Sequence, residues 1–365
     1  MKHRLTIIVI AVIIILGGFL FWNNHYLSTL RGDAADFTVR DTASVTKMFF
    51  ADKNANTTLL CRTEHGWTVN NEYDAQQKLV NEILYTLDHL RIRMPVSLAS
   101  HDNVITRMAS TNTKVEIYQN VPTINLFNRI KLFYREKKTK TFYIGDVTQD
   151  NNGTYVLKEG ADKAYIVYLH GFRGSISSRF SANQEDWRSH KIMSYNMDDI
   201  ASYELEVNNN PERSFILSEN GRNSFKMNYL NGNEIAFDTL RVLNLLTSLN
   251  DIRFEAFLSD VAETRRDSII NSPYLEKLTV TDKSGKVTEI KTFKIKINAD
   301  AFGYVEESWD DDPDHKYALI NGKDFVLIQD FVFGKLLKPA TYYMKSNVKP
   351  TQIIYYRELE EIQSR

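Results

Sequence analysis

Tyr155-Val-Leu-Lys-Glu-Gly-Ala-Asp162 and Tyr317-Ala-Leu-Ile-Asn-Gly-Lys-Asp324 carry tyrosine, leucine, glycine and aspartate at the same steps. A short run rich in β-branched and aromatic residues follows each, Tyr165-Ile-Val-Tyr168 in one and Phe325-Val-Leu-Ile328 in the other. Each stretch therefore reads as strand, glycine turn, strand. The recurrence marks Tyr155, Gly160 and Asp162, with Tyr317, Gly322 and Asp324, as the signature turns of an internal repeat.

Upstream of both turns the match continues. Asp41-Thr-Ala-Ser pairs with Asp199-Ile-Ala-Ser as the opening of a strand, and Trp67-Thr-Val-Asn70 with Phe225-Lys-Met-Asn228 as the next. A helix is predicted after each. In the first copy Leu79, Val80, Ile83, Leu84, Leu87 and Leu90 form one apolar stripe, with Asp74 as its cap. In the second the stripe is Phe237, Leu240, Leu243, Leu246 and Leu249, with Asn233 as its cap. Strands return after the helices. In the first copy residues 130–134 and 141–144 flank Lys137-Lys138, read as a hairpin turn. In the second, residues 277–281 and 292–295 flank Asp282-Lys-Ser-Gly285. The interval between Ile295 and Tyr317 is longer than its counterpart, and it holds Glu306, Glu307, Asp310, Asp311, Asp312 and Asp314. Those acidic residues form a loop peculiar to the second copy, a candidate partner contact. Residues 98–113 read as a polar connection and a second candidate contact.

The N-terminus carries a different signal. Lys2 and Arg4 precede residues 5–22, an uncharged run dominated by Ile, Val, Leu and Phe. As a helix that run would reach roughly 27 Å, close to a hydrocarbon core. With positive charge before it and Trp22 and Tyr26 after it, the expectation is a single-pass anchor in the cytoplasmic membrane. Its N-terminus would lie inside and its bulk in the periplasm, so the lipid bilayer is an expected partner. The organisation then reads as a tail at 1–4, the anchor at 5–22 and a linker at 23–40. The first repeat with its connection covers 41–193, the second covers 194–345, and a C-terminal tail covers 346–365. The expected fold class is α+β: a transmembrane helix, then two tandem repeats of strands, helix and strands with mostly antiparallel sheet.

Composition excludes some functions. The formal net charge is −1, and removing Lys2 and Arg4 leaves −3, so a nucleic-acid reader with a basic surface is not expected. Cys61 is the only cysteine and reads as a small core residue. The eight histidines include no His-x-x-x-His pair, and no cofactor or metal site is expected. Leu169-His-Gly-Phe-Arg-Gly-Ser175 resembles an oxyanion-hole turn, but the chain has no Gly-x-Ser-x-Gly nucleophile elbow. A glycine-rich strand exit fits it better. Asp186-Trp187-Arg188 reads as a structural pin between the copies, by stacking and ion pairing.

The opening Asp41-Thr-Ala-Ser-Val-Thr-Lys-Met-Phe with Gly66-Trp-Thr-Val, and the mid-region Asp186-Trp-Arg-Ser-His-Lys-Ile-Met-Ser-Tyr with Asp198-Asp-Ile-Ala-Ser, resemble the bacterial domain of unknown function 4340 over most of residues 41–340. Ser189 departs from the acidic residue that pattern has after Arg188. The resemblance implies one N-terminal membrane helix, no established activity and, for some members, an accessory place in transport or gliding-type membrane systems. The expectation is therefore a non-catalytic interaction protein on the periplasmic side, partnered by another membrane protein. Two alternatives stay open: an exported hydrolase built around His170, and a small-ligand sensor with its site between the repeats.

Overall fold

The computed structural model describes residues 35–126, 130–221, 224–296 and 311–345, with Val12, Ile15 and Leu16 as isolated helical positions. The chain divides into two compact units, Met1–Ser189 and His190–Arg365.

The first unit is built on a nine-stranded sheet. Its strands are β1 (Val45–Ala51), β2 (Thr57–Thr63), β3 (Gly66–Val69), β4 (Tyr73–Asp74), β5 (Leu90–Pro95), β6 (Thr113–Leu126), β7 (Ile130–Val147), β8 (Thr154–Lys158) and β9 (Tyr165–Leu169). They lie in the order β4-β3-β2-β1-β6-β7-β8-β9-β5. Side chains alternate between the faces, as the two-residue strand period requires. Phe142, Ile144, Val156 and Val167 enter the main core, while Tyr143, Tyr155, Leu157 and Ile166 face a small second cluster. Helix α1 (Gln77–His89) supplies Val80, Ile83 and Leu87 to the main core. Its N-cap, Gln76, makes no side-chain cap bond. A cap is worth about 1 kcal/mol, whereas each buried aliphatic side chain contributes about 1.5–3 kcal/mol, so packing holds this helix. Helix α2 (Leu98–Thr111) supplies Val104 and Met108 to the second cluster, against Val96 and Ala164.

The second unit has an eight-stranded sheet and a short separate pair. The pair joins β10 (Lys191–Met193) to β14 (Ile252–Arg253). The sheet contains β11 (Ile200–Val207), β12 (Phe215–Glu219), β13 (Phe225–Asn228), β15 (Ala256–Phe257), β16 (Glu276–Asp282), β17 (Val287–Phe293), β18 (His315–Ile320) and β19 (Asp324–Gln329), in the order β13-β12-β11-β16-β17-β18-β19-β15. Helix α3 (Thr239–Ser248) buries Val242, Leu245 and Leu246, and α4 (Glu263–Ile270) buries none of its residues.

Several expectations are corrected. Strand outweighs helix, 42% against 23%, so the chain is mostly antiparallel sheet. Among the described residues each unit sets two helices between its strands where the sequence pattern indicated one. The helices missed, α2 and α4, are polar and carry no broad apolar stripe. Nor is the expected transmembrane helix among the described elements: no helix of the described residues is long and apolar enough to cross a membrane. Of residues 5–22 all but Val12, Ile15 and Leu16 lie outside the described residues, as do the tails at 1–4 and 346–365.

Boundaries shift too. Phe37 and Val39, assigned to a linker, are buried in the first core, and residues 191–193, assigned to the connection, pair within the second unit. Asp74 lies in β4 and does not cap α1. The cap of α3 is Asp238, whose carboxylate accepts from the backbone N–H of Leu240 and Arg241, rather than Asn233. Of the expected stripe Leu246 and Leu249 are buried, but Leu240 is 67% exposed and Leu243 37%, and Val242 and Leu245 take their place in the core.

Candidate functional site

The largest departure from the sequence reading lies at Lys137-Lys138. No turn forms there. β7 runs straight through both lysines and pairs with β6 from Thr113↔Ile144 to Leu126↔Ile130, with one irregularity at Ile117/Tyr118. The corresponding hairpin of the second unit, β16–β17, turns where it was expected to, with the Asp282 carboxylate accepting from the backbone of Ser284 and Lys286.

The neighbours of the long hairpin stop early. β1 covers β6 from Lys114 to Gln119, and β8 covers β7 from Phe142 to Val147. Beyond these limits β6 and β7 pair only with each other among the described residues, through Asn120↔Glu136, Val121↔Arg135, Pro122↔Tyr134, Ile124↔Leu132 and Asn125↔Lys131. At about 3.3 Å per residue, residues 120–126 carry this two-stranded arm roughly 20 Å past the sheet. Strand alternation then sorts it. Pro122 and Ile124 share a face with Tyr134 and Leu132, and Ile124, Leu132 and Tyr134 are 40%, 46% and 55% exposed. Phe133 is 72% exposed and sits at φ +57°, where a bulky residue is an outlier. The exposed Lys131 and Arg135 flank this triplet along β7, and no Asp or Glu stands between Glu116 and Glu136.

The root of the arm is polar and tightly bonded. Glu116, 8% exposed, accepts from Lys114 at 2.7 Å, the Tyr118 hydroxyl at 2.7 Å and Lys138 at 3.3 Å. Burial pushes its carboxyl up, but those three donors outweigh it and hold Glu116 down at about 2. The same bond raises the Tyr118 phenol to about 12, with burial adding to it. Glu136 accepts from Lys47 and from the Thr46 hydroxyl, both at 2.7 Å. Gln119 bridges the Asp41 carbonyl and the Ser44 hydroxyl, and accepts from Thr139 at 2.6 Å. The root is thus bolted to β1 and the turn before it, while the far part of the arm is apolar and basic.

The residues singled out from the sequence are scattered. Gly160, φ +75°, and Gly322, φ +67°, take left-handed conformations in the β8–β9 and β18–β19 turns, and Tyr155 and Tyr317 pair with Ile166 and Leu327. Asp162 lies in the first of those connections and Asp324 opens β19. Trp187 is 3% exposed, stacks on Phe50 at 5.3 Å and donates its indole N–H to the Ser181 carbonyl at 2.9 Å. The Arg188 guanidinium lies 3.7 Å from the Tyr73 ring centre, and Asp186 accepts from the Ser181 hydroxyl. All three close the first unit.

Within the acidic loop, Glu306, Glu307 and Asp310 lie outside the described residues. Asp311 pairs with Lys294 at 2.5 Å, Asp312 accepts from the backbone of Asp314 and His315, and the Asp314 carbonyl accepts from Asp330. The segment 98–113 is mainly helix α2, not a connection.

His170 is exposed at the end of β9, and its side chain makes no hydrogen bond or ion pair among the described residues. The adjoining cleft of about 500 Å³ is lined by Ile92, Arg93, Asn152, Tyr168, Gly171 and Phe172, among others, but not by His170. Among the described residues no group of three or more His, Cys, Asp or Glu could hold a metal ion. Cys61 is buried, and that burial pushes its thiol up.

The two sheets with their helices, and the arm, define a sheet-rich, two-unit protein. The family model described as domain of unknown function (DUF4340) matches residues 67–269, and the chain belongs to that family. The match begins at β3 and ends in α4, a shorter extent than the resemblance read from the sequence. No curated protein and no solved structure matches the chain.

Proposed function

We propose that this chain is a non-catalytic interaction protein that docks through the β6–β7 arm, exported and held at the cytoplasmic membrane as an accessory to a membrane complex. One observation carries the reading: a hairpin extended far past its sheet exposes an apolar face that the fold does not use. An isolated two-stranded ribbon is marginal in water, and exposed apolar patches mark contact surfaces. The corresponding hairpin of the second unit builds its part of the sheet with seven residues in each strand. The extra length in the first unit therefore serves something other than folding. The location is supported by the apolar run at 5–22 with Lys2 and Arg4 before it. The hydrolase alternative gains nothing from an exposed histidine without a partner.

The reading is tested by placing a photo-crosslinking amino acid at Tyr134, and at Val287 as control, in the full chain in its host. Adducts at 134 that are absent at 287 are the expected result. A bare arm at 134 would overturn the docking role.

A further inference from the structure

We infer that the surface the β6–β7 arm docks on is an anionic lipid bilayer, met by the face of Ile124, Leu132 and Tyr134 with Lys131 and Arg135 at the headgroups. This rests on the docking role proposed above and names its counterpart.

Three observations favour lipid over another protein strand. The first is charge. The carboxylates at the root are matched by Lys114, Lys138 and Lys47, and the sequence from 117 to 135 contains bases but no acid. The far arm is thus positive, complementary to an anionic surface, where each Lys or Arg contributes about fivefold in affinity. The ribbon is only two strands wide, about 5 Å between strands, so the long side chains of Lys131 and Arg135 reach past its edges.

The second is residue type. Apolar side chains beside an aromatic with a hydroxyl, flanked by cations, suit the layer between headgroups and acyl chains.

The third is the edge. Pro122 has no N–H to donate to an added strand, and Lys131, Arg135 and Lys137 line the other edge. Both features discourage strand addition and leave the apolar face as what is offered. The open edges also set the depth. Unpaired backbone groups cannot enter the hydrocarbon, so the arm rests in the interface and does not cross it.

The test uses the full chain carrying Leu132→Cys, labelled with an environment-sensitive nitrobenzoxadiazole. Cys61 is 7% exposed, and its labelling is checked on the unsubstituted chain. A label at Val287→Cys, on the hairpin of the second unit, is the control. Vesicles contain phosphatidylglycerol with phosphatidylcholine, or phosphatidylcholine alone. The expected result is a blue shift and protection from iodide at 132 with the anionic vesicles only, and no change at 287. Lys131→Gln with Arg135→Gln should raise the lipid concentration needed roughly 25-fold. Because the label reports the arm itself, association through other segments does not mimic this. An unchanged emission, an equal response to neutral vesicles, or a vesicle-independent shift growing with protein concentration (a second copy) would each overturn the lipid proposal. In any of these cases, a protein crosslink at Tyr134 would leave the docking role standing.

Discussion

Ile124 on β6 stands directly opposite Leu132 on β7, and both side chains are more than a third exposed. A cross-strand aliphatic pair normally earns its place by burial against a third element. This one lies beyond the last residues of β6 and β7 that β1 and β8 cover, so its stabilising value to the isolated chain is small, about 0.2–1 kcal/mol.

Ile124→Ser with Leu132→Ser should therefore leave global stability within about 1 kcal/mol of wild type in urea unfolding. The same pair should strongly weaken flotation with phosphatidylglycerol vesicles of a chain begun at Ala35, which lacks the apolar run at 5–22. A large loss of stability would mean that the arm packs on the body of the protein.

Glu116→Gln tests the root. The folded carboxyl sits at about 2, below its ordinary 4.5, so the ionised group stabilises the fold above the ordinary value. That contribution is lost as pH falls from about 4.5 through about 2. The variant should lose roughly 1–3 kcal/mol at neutral pH and approach wild type near pH 2. Unfolding midpoints measured across that range give the comparison, and a constant difference would contradict the assignment.

Gly145 marks where α2 presses on β7. A Cβ there would meet Met108 Cγ at 2.7 Å. Gly145→Ala should cost about 1–3 kcal/mol, and Met108→Ala in the same chain should recover part of it. Additive losses in the double variant would show that the two residues do not touch.

Trp187→Ala removes a fully packed ring from its stack on Phe50 and leaves the Ser181 carbonyl without its indole donor. The expected cost is about 3–5 kcal/mol, read by thermal unfolding. A near-neutral result would place this tryptophan outside the first core.

How far the sequence led can be judged from single elements. The turns at Gly160, Gly322 and Asp282–Gly285 were legible because local chemistry decides them: a left-handed glycine, or an aspartate bonding the backbone ahead of it. The stripe Val80, Ile83 and Leu87 was legible because it is periodic and buried. Helix α2 was not, since only Val104 and Met108 are buried along its length. The match of Asp41 with Asp199 was out of register. The burial pattern aligns Val45 with Ile200, Met48 with Tyr203 and Phe50 with Leu205, each strand following a turn of 3-10 helix. The arm was missed because Lys137-Lys138 looks like a hairpin tip. A paired lysine is equally at home on an exposed strand, and only the register with β6 separates the two readings. The candidate site was therefore hidden in the residues that looked most like a plain turn.

The most direct test of the docking claim exchanges the arm for the short turn of the second unit, replacing residues 121–135 with Asp282-Lys-Ser-Gly-Lys286. Association of this chain, begun at Ala35 so that the apolar run at 5–22 is absent, with phosphatidylglycerol vesicles is then measured by flotation beside its unfolding midpoint. A chain that keeps its midpoint and loses association is the predicted result. A chain that keeps both would show that the arm is not the docking element.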